Sequence, residues 1–296
     1  MGAVKASMSD MEYSARPLQA VSSLESRPTA LEGLWNIISA DAVAAVAHDR
    51  FMARPVHDIL LRHSGFAEAL THRLARKLAD EEIDTIALSG LIADACEHDP
   101  AIVEAAAIDL RTIQERDPAC PDLLTPFLYF KGYQALQAYR ITHWLWRQGR
   151  RHAAHHLQSR ISEVFAVDIH PAAILGSGIM VDHGTGLVIG ETAVVENDVS
   201  MLQEVTLGGT GKQSGDRHPK IRRGVLIGAG AKILGNIEVG EGAKIGAGSI
   251  VLDCVAPFTT VVGVPARPVG GCGNCHPGLT MDHCLPADWA RQPTGS

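Results

Sequence analysis

The sequence predicts an α+β chain in which an N-terminal α-helical domain precedes a parallel β-helix, a hexapeptide solenoid with one inserted loop. Three observations carry this. Apolar residues between about 31 and 150 recur at helical spacing, after residue 166 they recur every six residues, and that ladder breaks between Val205 and Ile221. With 296 residues, 46% of them hydrophobic and 20% charged, the chain can build a sizeable core, and two domains are the soft expectation.

Residues 1–30 read as an N-terminal extension. "MGAVKASMSDMEYSARPLQA" lacks the uninterrupted apolar core of a signal peptide, and Ala6 stands where N-myristoylation needs Ser or Thr. No run approaches the ~20 apolar residues of a membrane span. A cytoplasmic protein with no membrane partner is expected. The formal net charge of −7 argues against a general nucleic-acid binder, which needs a basic surface.

Residues 31–166 form the helical domain. Leu31, Leu34, Trp35 and Ile38 keep the i, i+3, i+4, i+7 rule, as do Ile102, Val103, Ala106, Leu110 and Ile113. Asp99-Pro100 reads as an N-cap followed by Pro at the first helical position. Pro118, Pro121 and Pro126 interrupt the pattern, and one long helix, "LYFKGYQALQAYRITHWLWRQ", follows with its aromatics packed inward.

Residues 167–268 form the solenoid. Ile169, Leu175, Val181, Leu187, Ala193, Val199 and Val205 step by six, as do Ile221, Ile227, Ile233, Val239, Ile245 and Val251. That period fits neither a 3.6-residue helix nor a lone amphipathic strand, but it fits short parallel strands stacked coil upon coil. Gly228, Gly240 and Gly246 follow their aliphatic anchors directly, where sharp turns with positive φ are expected. The loop at 208–220, "GGTGKQSGDRHPK", interrupts the ladder. The helical half covers one open end, and "TTVVGVPARPVGG" closes or leaves the other.

Two polar constellations stand out. Asp182 and His183 lie between glycines, and His183 falls two places after Val181, off the buried position. The bland reading is a solvated corner; the functional one is a base in a groove. The loop carries Arg217, His218, Lys220, Arg222 and Arg223 in an otherwise acidic chain, where Arg offers a fork to a carboxylate. His170, before Pro171, has no such company and reads as structural. Cys96, Cys120 and Cys254 read as buried thiols.

The combination "RDPA", "KGYQALQAYRITHWLW", "VDIHPAA", "DHGTG", "GETA", "VTLGGTGK", "GDRHPKI", "GAGAKILGN" and "GVPAR" resembles the serine O-acetyltransferase family over residues 31–268. The resemblance implies a left-handed β-helix, acetyl-CoA as co-substrate, L-serine as acceptor and no metal in catalysis. It makes His183 the general base and Asp168 the carboxylate that orients it. Asp117 and Asp182 match serine-binding acids, Arg217 and His218 the groups around the substrate carboxylate, and Glu191 the acid of "GETA" near that site. Gly209, Thr210, Ala229 and Ala247 match positions lining the CoA groove. L-cysteine as feedback inhibitor, a trimer or dimer of trimers, and a site between neighbouring β-helices are also implied.

The chemistry is sound by itself. A serine hydroxyl needs a base to attack a thioester, histidine has a reference pKa of about 6.5, and a positioned base is worth ~10² to 10⁴ in rate. Asp168 and His183 are fifteen residues apart, near the eighteen of a three-hexapeptide coil but displaced by three. An acetyltransferase for a sugar or other hydroxyl is the runner-up, and a catalytically silent scaffold comes from a different class. A metal-dependent lyase needs three converging histidines, which the intervals from His170 to His183 to His218 do not suggest.

The tail departs from the family. Many members end in isoleucine, which enters the active site of O-acetylserine sulfhydrylase; this chain ends in Ser296, so that complex is not expected by that route. Cys272, Cys275, His276, His283 and Cys284 instead offer a set for tetrahedral zinc, with a mobile tail as the plainer reading.

Overall fold

A computed structural model describes residues 27–211, 214–271, 273 and 275–285. The N-terminal extension up to residue 26, Cys272 and the end of the tail lie outside these. The helical domain comprises α1 (Arg27–His48), α2 (Ala53–Val56), α3 (Phe66–Leu78), α4 (Thr85–His98), α5 (Ala101–Arg116), α6 (Leu124–Tyr129), α7 (Lys131–Arg147) and α8 (Arg151–Phe165). Within α1, Ala30–His48 is long and apolar enough to cross a membrane by length and composition, which the sequence reading had not allowed. Here it is a packed helix: Leu34, Ile38 and Ala42 are fully buried, and Asp41 accepts the Leu123 backbone N–H at 3.1 Å.

Two local expectations change. Asp99 does not cap α5 with its side chain; its carbonyl accepts from Ile102 N–H and its carboxylate faces Arg147. The expected long aromatic helix is broken at Phe130 (φ −78°, ψ 103°) into α6 and α7. The break lets the start of α7 meet the solenoid, where Gly132 lies so close that a Cβ would collide with the Val181 carbonyl.

A buried network then fixes helices to coils. Asp109, fully buried, pairs with Arg140 at 2.6 Å, accepts from Gln137 and takes the Ile179 backbone N–H at 3.0 Å. Arg140 also donates to the Gly176 carbonyl at 2.9 Å.

The solenoid has three faces. Face A stacks β1 (Val167–Ile169), β4 (Leu187–Ile189), β7 (Thr206–Gly208), β10 (Lys232–Leu234) and β13 (Ile250–Val251). Face B stacks β2 (Ile174–Leu175), β5 (Val194–Val195), β8 (Lys220–Ile221) and β11 (Glu238–Val239). Face C stacks β3 (Met180–Val181), β6 (Ser200–Met201), β9 (Leu226–Ile227), β12 (Lys244–Ile245) and β14 (Thr259–Gly263), edged by antiparallel β15 (Ala266–Gly271). The α8 helix packs on β1 at one end, and the β14–β15 hairpin finishes the other. Beyond it, α9 (Pro277–Thr280) returns along the side of the solenoid.

All thirteen ladder residues are buried, yet the ladder conceals a shift. Ile169 pairs with Ile189 and Val181 with Met201, twenty residues on rather than eighteen. The next pairing, Ile189 with Leu207, returns to eighteen, and Leu207 with Ile233 spans twenty-six across the inserted loop. Each coil therefore buries two aliphatics per face, as Leu187 and Ile189 do, and Leu187 carries the apparent period straight across a two-residue insertion. That insertion falls in the Asp182–Gly186 turn. Gly228, Gly240 and Gly246 are also reassigned. Positive φ falls two residues later, at Gly230, Gly242 and Gly248. The earlier three are close-packed against the next coil, where a Cβ would lie 2.5–2.6 Å from Ala247 N, Pro257 N and Val262 Cγ1.

Candidate active site

The enlarged turn at the edge between faces C and A carries Asp182 and His183. His183 sits at φ 59°, a left-handed backbone unusual for a residue other than glycine. Lys131 donates to Thr185 Oγ1, and Gly184 packs near Gly132, so the start of α7 supports the loop. The imidazole projects outward with 71% of its side chain exposed, and its Nε2 lies 3.8 Å from Asp182 Oδ1. Asp182 N–H donates to the Met201 carbonyl at 2.9 Å, tying the turn to β6. Asp117 ends α5, a helix that packs against β3, and its carboxylate accepts from Ala119 N–H at 2.8 Å. On the same edge, two and three coils up, Ala229 and Ala247 stack, joined by Gly248 N–H to the Ala229 carbonyl at 2.8 Å.

The opposite edge of face A gathers the other set. Arg217 pairs with Glu191 at 2.7 Å, and this hydrogen bond first of all holds the Glu191 carboxyl below its ordinary range. His218 is buried, lies over Gly190, and takes the Thr192 backbone N–H on Nδ1 at 3.1 Å and contacts Thr192 Oγ1 at 2.9 Å. Thr192 Oγ1 itself accepts from the Arg217 and His218 backbone N–H groups, so its proton goes to Nδ1. Burial and then Arg217 lower the His218 pKa, so the ring is neutral and carries its hydrogen on Nε2. Gly209 and Thr210 begin the loop at this edge, Gly209 against the Arg217 side chain and Thr210 near Gly235.

Asp168 lies in the middle of β1, opening onto a groove of about 480 Å³ between face A and α8. Its Oδ1 accepts from Gln158 Nε2 at 2.7 Å. The expected partnership with His183 is not among the described hydrogen bonds of one chain; the acid beside His183 is Asp182. His170, read from sequence as structural, joins the Glu191 edge instead. Its N–H donates to the Ile189 carbonyl, and its ring stands edge-on to Trp146 and His155 at 5.1 and 5.7 Å. The twenty-residue pairing of β1 with β4 places it under Gly190, a register invisible in the ladder.

Serine acetyltransferase relatives match both halves of this architecture. Residues 34–138 match the serine acetyltransferase N-terminal family, and residues 218–253 match the bacterial transferase hexapeptide family. The serine acetyltransferase of Escherichia coli is 56% identical over 252 residues, covering 85% of this chain and 92% of its own. The chain belongs to the serine acetyltransferase family.

Among solved structures, the serine acetyltransferase of Brucella abortus in complex with coenzyme A is 48% identical with a TM-score of 0.82, covering 84% of this chain and 99% of its own. A serine acetyltransferase in complex with cysteine is 50% identical with a TM-score of 0.84, covering 86% and 99%. Among the described residues no three His, Cys, Asp or Glu side chains converge as metal ligands. His276 instead packs against Phe258, with Nε2 3.7 Å from Glu241.

Proposed function

We propose that the chain transfers the acetyl group of acetyl-CoA to the hydroxyl of L-serine, giving O-acetyl-L-serine and CoA. His183 takes the serine proton as Oγ attacks the thioester carbonyl. The tetrahedral intermediate then expels the CoA thiolate, which receives that proton from the imidazolium, so no acyl-enzyme forms. Asp182 and Asp117 hold the serine ammonium, while Arg217 and the His218 Nε2–H receive its carboxylate beside Glu191. Gly209, Thr210, Ala229 and Ala247 line the CoA groove, and Asp168 orients the base.

The single observation that carries this reading is the division of the candidate residues between the two edges of face A. Asp182, His183, Ala229 and Ala247 take one edge, with Asp117 at the end of the α5 helix that packs against β3, and Glu191, Arg217, His218, Gly209 and Thr210 take the other. The β4 strand, about 10 Å of extended chain, separates them. Two copies meeting edge to edge bring both sets together, and three copies close the ring. The exposed His183 then meets the partner's groove, where Asp168 is accessible. A trimer, or two trimers joined, is the assembly proposed, with L-cysteine competing for the serine groups. A cytoplasmic location suits Cys96, Cys120, Cys254 and Cys284, none of which is in a disulfide, although of the three expected as buried thiols only Cys120 is buried, Cys96 being partly buried and Cys254 exposed.

Release of CoA from acetyl-CoA, measured with L-serine, L-homoserine and a galactoside, tests the assignment. L-Serine should be preferred, and His183→Asn, whose side chain tolerates the left-handed backbone, should lose ~10² to 10⁴ in kcat. Near wild-type turnover in that variant would refute the mechanism.

A further inference from the structure

We propose that Arg116 is a positioning residue for the serine site, setting Asp117 relative to Asp182, and that the C-terminal strap completes its setting. This rests on the assignment of those two acids to serine. Arg116 closes α5 and is only 7% exposed. Its guanidinium spans three acceptors: Nη1 donates to the Gly178 carbonyl at 3.0 Å and to Ser200 Oγ at 3.1 Å, and Nη2 to Asp198 at 3.2 Å. Arg116 thus grips Ser200, while Asp182 grips Met201, the next residue of the same strand. One two-residue strand fixes the spacing of both acids.

Arg116 is not the sole tie between α5 and the solenoid. Asp109, two turns earlier, already ties that helix to Ile179 and Arg140. What Arg116 adds is control of the last turn, where the chain leaves the helix at Asp117 (φ −97°, ψ 106°).

The strap enters the same corner. Ser200, fully buried, donates its hydroxyl proton to the Gly278 carbonyl at 2.6 Å, which leaves a lone pair facing Arg116. Gly278 N–H donates to Gly224, and a Cβ on Gly278 would come within 2.6 and 2.7 Å of the Val225 and Asp198 carbonyls. Only glycine fits this wedge. Lys244, 5% exposed, fastens the far end through the Cys284 carbonyl at 2.8 Å and Asp282 at 3.3 Å. The tail therefore closes the corner that holds Arg116, and through it Asp117.

Steady-state kinetics on the full-length chain test this, with Michaelis constants for both substrates. Arg116→Lys keeps the charge but loses the fork. It should raise the KM for L-serine about tenfold, with the KM for acetyl-CoA changed less than about twofold. Ser200→Ala and Gly278→Val should each raise the serine KM selectively by about threefold, and they serve if Arg116→Lys fails to fold. An unchanged serine KM, or an equal rise in both constants, overturns the proposal. Asp117→Asn separates the two readings: if it leaves the serine KM intact, the assignment of Asp117 falls and the proposal with it. If Asp117→Asn weakens serine binding and the other three variants do not, the positioning role alone is wrong.

Discussion

Two impaired variants should restore each other when mixed. In a closed ring each chain lends its His183 edge to one site and its Arg217 edge to the next. His183→Asn spoils the first edge, and Arg217→Ala removes a charged hydrogen-bond donor from the second, a loss of about 1.5–3 kcal/mol, or some 10- to 150-fold at limiting serine. In a random equimolar mixture, a sound site needs a His183→Asn chain beside an Arg217→Ala chain in the right order. That occurs with probability one half times one half, so about a quarter of wild-type sites recover in a shared-site ring. Co-expression of differently tagged chains and CoA-release assays at low serine read this directly, and tandem purification, which discards the unmixed trimers, should raise the recovered fraction to about one site in three. Were both edges completed within one chain, the mixture would show only the mean of the two homomers, and that result would refute the two-edge arrangement.

Asp109→Ala should destabilise the fold by about 3–5 kcal/mol, because it leaves Arg140 buried without its partner, and urea unfolding measures it. A loss under about 1 kcal/mol would mean the network is dispensable. Acid stability follows from histidines. Burial lowers the pKa of His72, His143, His170 and His218, so the unfolded chain binds more protons below about pH 6.5. Their contribution is complete above that pH and is lost as pH falls beneath it. Glu68, held at about 2 first by the Ser64 backbone N–H, acts with the same sign in a lower window, losing its contribution between 4.5 and about 2. Thermal midpoints should therefore fall between about pH 7 and 5.5, before the carboxylates titrate, with a slope from the buried His143 of at most ~1.4 kcal/mol per pH unit. His143→Gln keeps a donor for the Pro171 carbonyl and should flatten that slope; an identical slope would show that His143 is not its source.

The helical half and the solenoid were legible because their periods differ and both report burial. Leu34, Ile38, Leu110 and Ile113 are core residues as spaced, and every ladder residue faces inward. Burial says nothing about where a helix must stop for a neighbour to approach. The gap at Phe130 answers to Gly132 meeting Val181, a contact forty-nine residues away in sequence. The same limit applies to the site. Individual residues were visible as polar interruptions of an apolar ladder, but not which edge each would occupy.

The register explains why. A solenoid face with two inward aliphatics two residues apart is degenerate to a shift of two, since either can continue the ladder. Leu187 did so, and the insertion at Asp182–Gly186 left no mark on the six-residue count. Yet that insertion makes the turn long enough for His183 to stand clear of the coil, seven steps separating Val181 from Val188 where five separate Met201 from Thr206. It also moves β4 two residues along β1, which brings His170 under Gly190 and beside Glu191. A candidate base and the underside of its facing site are thus produced by one irregularity. The consequence for reading other hexapeptide solenoids is specific: where the ladder runs unbroken through a glycine-rich turn holding a histidine, both inward positions must be tried before any two residues are said to stack.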